Sequence, residues 1–119
     1  MAVYQQKLGD TSVLIDELAM LVFEGKKTAT CGRYIPHAPL EQVGDFIDIQ
    51  NASEKIVCRV QVTEVEIVRF CDVSADFAEA EGEGDGSLIY WRIAHQEFFT
   101  REGVFAEDMP LVCLRFRKV

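Results

Sequence analysis

The segment from Ile56 to Phe70 most narrows the possible folds, because it is dense in valine, isoleucine and other residues that favour β-strands. Apolar residues occupy even positions from Cys58 to Val62, and then the odd positions Val65 and Ile67. Since side chains alternate between the two faces of a strand, this change of phase predicts one long strand with a β-bulge near Thr63, or two strands. Either arrangement needs partner strands from elsewhere in the chain.

Shorter patterns supply those partners and the helices that cover them. Apolar spacing, capping residues and glycines predict helices over residues 12–24, 73–81 and 87–99. Strands are predicted over residues 28–33, 46–50 and 111–118. Strands outnumber helices and follow one another in runs, which favours the α+β class. We expect a small, mostly antiparallel β-barrel with flanking helices, formed as a single domain over residues 1–119.

Charge limits the ligands that such a domain can bind. The 119 residues contain 20 acidic and 12 basic side chains, a net charge of -8, and the stretch from Asp72 to Asp85 has six acids and no base. Capture of a long nucleic acid requires several phosphates to be neutralised at once, so long duplex DNA is not an expected partner. No apolar run approaches the length of a membrane span and the N-terminus lacks a signal pattern, so we expect a cytoplasmic protein without a membrane partner.

The metal-binding residue types are scattered along the chain. The two histidines, His37 and His95, do not form a ligand-spaced pair with each other, and no C-x-x-C pair is present. This spacing predicts neither a zinc site nor any other metal, and no cofactor is expected. The cysteines are predicted to be free thiols in a reducing compartment: Cys31, Cys58, Cys71 and Cys113.

The helix-to-strand junction at residues 25–30, Gly-Lys-Lys-Thr-Ala-Thr, places two amines and two hydroxyls together. It is not a phosphate-binding P-loop, because the helix precedes the glycine and Met20 stands where that motif needs glycine. On spacing alone, lysines at a helix end and threonines in a strand are the favoured explanation. As a general base, Lys27 would need a pKa lowered by burial, and a nearby carboxylate would raise that pKa again. Lys27 and Thr30 can converge only if Lys27 still lies in the turn.

A second cluster of polar residues follows further along the chain. The acidic stretch over residues 78–85 is the natural source of a carboxylate partner for Lys27. Trp91 and His95 are helical neighbours at i and i+4, which favours core packing with a hydrogen-bonded imidazole over catalysis.

Several segments, taken in order over nearly the whole chain, resemble the ASCH domain family of the PUA-like superfold. They are Gly25-Lys26-Lys27-Thr28-Ala29-Thr30, Val43-Gly44-Asp45, Thr63-Glu64-Val65-Glu66, Ala80-Glu81-Gly82-Glu83-Gly84-Asp85, Ser87-Leu88, Tyr90-Trp91-Arg92, His95, Phe98-Phe99 and the closing strand. The chain looks like the small stand-alone bacterial branch of this family. The resemblance implies a barrel with a cleft between barrel and helices, suited to an RNA segment or a modified nucleoside.

One ASCH branch, the bacterial N4-acetylcytidine amidohydrolases, uses a lysine, a threonine three residues later and a downstream glutamate. By this resemblance the catalytic residues are Lys27, Thr30 and Glu81. Thr30 would attack the acyl carbon, Lys27 would activate it, and Glu81 would carry a proton to the leaving amine. A non-catalytic RNA-binding module and a metal-independent ribonuclease are the alternatives. The predicted ligand-binding residues are Lys26, Thr28, Arg33, Glu83, Asp85 and Trp91.

Overall fold

The computed structural model describes residues 1–119, and it contains every predicted helix and strand. The elements are β1 (Val3–Gln6), α1 (Ser12–Phe23), β2 (Ala29–Arg33), β3 (Phe46–Gln50), β4 (Ile56–Arg69), a 3-10 turn (Phe70–Asp72), α2 (Ala75–Glu81), α3 (Leu88–Arg101) and β5 (Pro110–Lys118). Strand β1 was not predicted from the sequence, because four residues are too few to show a period. None of the helices has both the length and the apolar character that a membrane crossing requires.

The five strands form one sheet in the order β1-β3-β4-β5-β2. All neighbours are antiparallel except β1 and β3, which are parallel. The α+β class and the mostly antiparallel sheet are therefore confirmed. The predicted closure into a barrel is wrong, since β1 and β2 remain as two separate edges of an open sheet. Helices cover both faces of this sheet, so its apolar side chains are buried without closure.

Strand β4 is a single long strand with a β-bulge, which decides between the two alternatives that its sequence left open. Its pairing with β5 shifts register between Val62, opposite Phe116, and Glu64, opposite Arg115. The extra residue keeps Val62 and Val65 in the same apolar layer although they are three positions apart.

The sheet is the middle of three layers. Helix α1 covers one face and buries its own Val22 against the sheet. Helices α2 and α3 cover the other face through Phe77, Trp91 and Phe99. Strand β5 contributes to the hydrophobic cores on both faces of the sheet. The side chains of residues 111–114 point alternately into one core and the other, and all four are buried.

Candidate functional site

The turn between α1 and β2 separates two adjacent lysines. Gly25 adopts a left-handed conformation with φ of 78°, and the backbone N–H groups of Lys26 and Lys27 both donate to the carbonyl of Leu21. The side chain of Lys26 is 65% exposed, whereas that of Lys27 is 1% exposed. Lys26 is thus a solvated helix-end residue, and Lys27, which lies in the turn before β2, is the positive group of a buried site.

The Lys27 ammonium is bound by two carboxylates. Its Nζ lies 2.8 Å from Oε1 of Glu81 and 2.9 Å from Oε2 of Glu83, and 3.5 Å from the Glu81 backbone oxygen. An ammonium has three protons, so these contacts account for all of them and none reaches Thr30. Glu81 is as buried as Lys27, and Glu83 is 17% exposed.

Electrostatics keep Lys27 and Glu81 ionised. Burial lowers the pKa of Lys27, but the charges of Glu81 and Glu83 outweigh it and leave that pKa raised. Burial raises the pKa of Glu81, but the charge of Lys27 and the hydrogen bonds from Lys27 and Trp91 outweigh it and leave that pKa lowered. Lys27 is therefore an ammonium at neutral pH. This state suits the stabilisation of an anion better than proton abstraction.

Helix α3 holds the other oxygen of Glu81. Trp91 Nε1 donates to Glu81 Oε2 over 2.6 Å, and His95 Nε2 lies 3.5 Å from the same oxygen. The His95 ring stacks on the Trp91 indole, with centroids 4.2 Å apart. Its Nδ1 lies 2.9 Å from the Trp91 carbonyl oxygen, which can only accept, so Nδ1 carries a proton and Nε2 faces Glu81. Trp91 thus orients the Glu81 carboxylate, and the i, i+4 spacing places His95 beside the same oxygen.

Cys31 is a third neighbour of Glu81. The donor atoms of Cys31, Glu81 and His95 lie within 4.8 Å of one another. Burial, with the nearby charge of Glu81, raises the pKa of the Cys31 thiol well above its ordinary value. From the sequence alone, Cys31 is predicted to be a free thiol, and core packing is favoured over catalysis for His95. The only local signals were the position of Cys31 directly after Thr30 and the i, i+4 spacing of His95 from Trp91.

Hydrogen bonds join the C-terminal end of α2 to the turn between α1 and β2 that contains Lys27. Thr28 donates to the carbonyl of Ala80 from both its backbone nitrogen, over 2.8 Å, and its hydroxyl, over 3.3 Å. Gly82 then ends α2 in a left-handed conformation, and a Cβ there would lie 2.1 Å from the carbonyl oxygen of Lys26. This close approach brings Glu81 to Lys27, so Thr28 acts on the site through the backbone.

Gly82→Ala is expected to lower the free energy of unfolding by roughly 3 kcal/mol or more, through backbone strain and a clash with a carbonyl. The matched control is Gly86→Ala, since Gly86 has a similar φ of 77° but open space around the added Cβ. The control should cost only about 1 kcal/mol. Chemical denaturation of both variants measures the difference, and equal losses would contradict the close approach.

A pocket of about 580 Å³ opens above these groups. It lies between the edge strand β2, helices α1 and α3, the end of β1 and the loop after β2. Among the predicted site residues, it is lined by Lys27, Thr30, Arg33, Glu81 and Glu83. Thr30 is half-buried and Arg33 is exposed.

The remaining predicted residues lie outside the pocket. Trp91 is buried behind Glu81, and Thr28 binds the backbone of α2. Asp85 accepts from the backbone N–H of Ser87 over 2.8 Å, just before α3, and Lys26 projects into solvent. A direct ligand contact by these four residues stays a prediction.

The chain belongs to the ASCH domain family, whose model matches residues 5–119. This is a PUA-like family with an RNA-binding type of fold. The crystal structure of an ASCH domain from Lactobacillus crispatus JV V101 is 32% identical, with a TM-score of 0.92 over 98% of this chain and 79% of that one. Protein EF3133 from Enterococcus faecalis V583 is also 32% identical, with a TM-score of 0.86 over 100% of this chain and 76% of that one.

A more distant similarity extends to hypothetical protein PH0355. It is 17% identical, with a TM-score of 0.69 over 98% of this chain and 99% of that one, and it shows the fold alone. A search of curated proteins found no match.

Proposed function

We propose that this ASCH domain is a hydrolase that removes the acyl group from the amide of a modified nucleoside such as N4-acetylcytidine. The observation that carries the proposal is the buried Lys27 ammonium, held between Glu81 and Glu83 at one side of the pocket. A pocket of about 580 Å³ falls within the range that takes small organic ligands. The Thr30 hydroxyl, which lines the same pocket, is the nucleophile.

The two carboxylates have different surroundings and so take different roles. Both oxygens of Glu81 accept hydrogen bonds, from Lys27 and from Trp91, and its side chain is 1% exposed. Glu83 gives only Oε2 to Lys27, and no protein group donates to its Oε1. We therefore move the proton-transfer role, which the resemblance implied for Glu81, to Glu83. Glu81 positions the lysine.

The proposed reaction balances with these groups and one water. Thr30 attacks the acyl carbon and passes its hydroxyl proton to Glu83, which then protonates the leaving amine as the carbon–nitrogen bond breaks. Water next hydrolyses the acyl-threonine ester and releases the acid. When Glu83 becomes neutral, its bond to Lys27 weakens, so an ammonium N–H becomes available for the oxyanion.

A non-catalytic RNA-binding module is the second candidate, favoured by the fold family and by the exposed Arg33 at the pocket. Lys27 contributes little to phosphate binding, because its three protons are already held by carboxylates. A module of this kind would bind single-stranded RNA through Arg33 and Lys26, with an affinity that falls steeply as salt is added.

The test is hydrolysis of N4-acetylcytidine by the purified protein, followed by chromatographic detection of cytidine. Thr30→Val keeps the shape of the side chain and removes the nucleophile, so turnover should fall at least a hundredfold. Lys26→Ala is the control, and it should retain the parental rate because Lys26 lies outside the pocket. An unchanged rate in Thr30→Val would overturn the mechanism. No turnover by the parent, together with salt-sensitive RNA binding, would favour the module.

A further inference from the structure

We propose that Cys31 Sγ, Glu81 Oε2 and His95 Nε2 form a binding site for a zinc-like divalent metal ion. Thiolate, carboxylate and imidazole are the donors that Zn²⁺ takes in proteins, and three such ligands with one open position are typical of zinc sites that also bind water or substrate. The inference concerns metal binding and does not depend on the proposed hydrolysis.

The donor geometry is close to that of a tetrahedral ion. Metal bonds of about 2.0–2.3 Å place neighbouring donor atoms roughly 3.5 Å apart. The distance from His95 Nε2 to Glu81 Oε2 is already 3.5 Å. One donor atom from each of the three residues falls within 4.8 Å of the others, so closure around an ion requires shifts of about 1 Å. Cys31 lies on β2, an edge strand with a partner on one side only, where such a shift is easiest.

The surrounding hydrogen bonds orient His95 and Glu81 as in known metal sites. The proton on His95 Nδ1 is donated to the carbonyl oxygen of Trp91, which leaves Nε2 free to coordinate. Glu81 accepts from Trp91 on the proposed coordinating oxygen and from Lys27 on the other one. A carboxylate oxygen has two lone pairs, so Oε2 can keep the Trp91 hydrogen bond while it binds a metal ion.

Charge balance also favours a cation here. Lys27, Glu81 and Glu83 together leave one negative charge in excess within a largely buried group. A divalent ion that displaces the thiol proton of Cys31 into solvent adds one net positive charge and neutralises the cluster. Lys27 repels the ion, but its ammonium lies on Oε1, the oxygen away from the ion. Cys31 and His95 both line the pocket, which gives the ion an entry path and water as its fourth ligand.

Titration of the reduced, metal-free protein with Co²⁺ tests the site, because cobalt adopts zinc geometry and reports its ligands by absorption. We expect one equivalent to bind, with tetrahedral visible bands and a thiolate-to-cobalt charge-transfer band in the near ultraviolet. Cys31→Ser should abolish the charge-transfer band. His95→Gln should weaken binding by at least tenfold. Zn²⁺ should displace the cobalt and raise the melting temperature of the parent protein.

Cys71→Ser is the matched control, since Cys71 is an exposed cysteine beside Asp72 and could hold cobalt adventitiously. It should leave the spectrum unchanged. The absence of a charge-transfer band in the parent would overturn the proposal, as would a band that survives Cys31→Ser or is lost in Cys71→Ser. His95→Gln changes a side chain at the pocket wall, so it remains informative if Cys31→Ser fails to fold. Wild-type affinity in a folded His95→Gln variant would also overturn it.

Discussion

Lys27→Met should lower the free energy of unfolding by about 3–5 kcal/mol, the cost of leaving one member of a buried ion pair without its partner. Lys27 and Glu81 are each 1% exposed, so water cannot stabilise the Glu81 carboxylate once the Lys27 charge is removed. Methionine resembles the lysine side chain in length and shape. The loss of unfolding free energy will therefore come mainly from the missing charge and less from the change in volume. Denaturant unfolding at neutral pH measures it.

The neighbouring lysine provides the control. Lys26→Met removes the same charge one residue earlier, where the side chain is 65% exposed, and it should change the unfolding free energy by less than about 0.5 kcal/mol. The double variant Lys27→Met/Glu81→Gln should be more stable than Lys27→Met alone, because it no longer buries an unpaired carboxylate. Equal effects of Lys26→Met and Lys27→Met would contradict the buried ion pair.

Local patterns in the sequence predicted the elements of this fold well. The change of phase between Val62 and Val65 located the bulge, and the apolar run at residues 111–114 located a buried strand. Such patterns could not predict whether the sheet closes, because closure depends on pairing between strands that are far apart in the sequence. β1 lies at one edge and β2 at the other, and the pairing of β1 with β3 joins segments about 40 residues apart.

For the candidate site, too, local sequence patterns do not show which side chains come together. Lys26 and Lys27 are indistinguishable by residue type, and only the turn after α1 decides that Lys27 points inward. The acidic stretch was recognised as the source of a carboxylate, but the left-handed end of α2 is what brings both Glu81 and Glu83 to one ammonium. The approach of Cys31 to Glu81 joins β2 to α2, and no local spacing encodes it.

Glu83→Gln should reduce the turnover of the acylated nucleoside by about a hundredfold to ten-thousandfold, the usual contribution of a general acid–base group. It should leave the melting temperature almost unchanged, because Glu81 still neutralises the buried Lys27 ammonium after Glu83 loses its charge. Steady-state kinetics and thermal unfolding of the same samples measure the two effects. Glutamine keeps the size of the side chain and can still accept the lysine hydrogen bond, but it cannot carry the proton.

Glu81→Gln is the matched variant, two residues away and identical in chemistry. Its main effect should fall on stability, with a loss of about 3–5 kcal/mol, because it removes the buried counter-charge of Lys27. Turnover per folded molecule should fall less than in Glu83→Gln, since a positioning residue acts through the lysine and not on the substrate. The reverse pattern, with Glu83→Gln unstable and Glu81→Gln folded but inactive, would return the proton-transfer role to Glu81. The two carboxylates differ in burial and in the number of donors they bind, so their kinetic and thermal effects should separate.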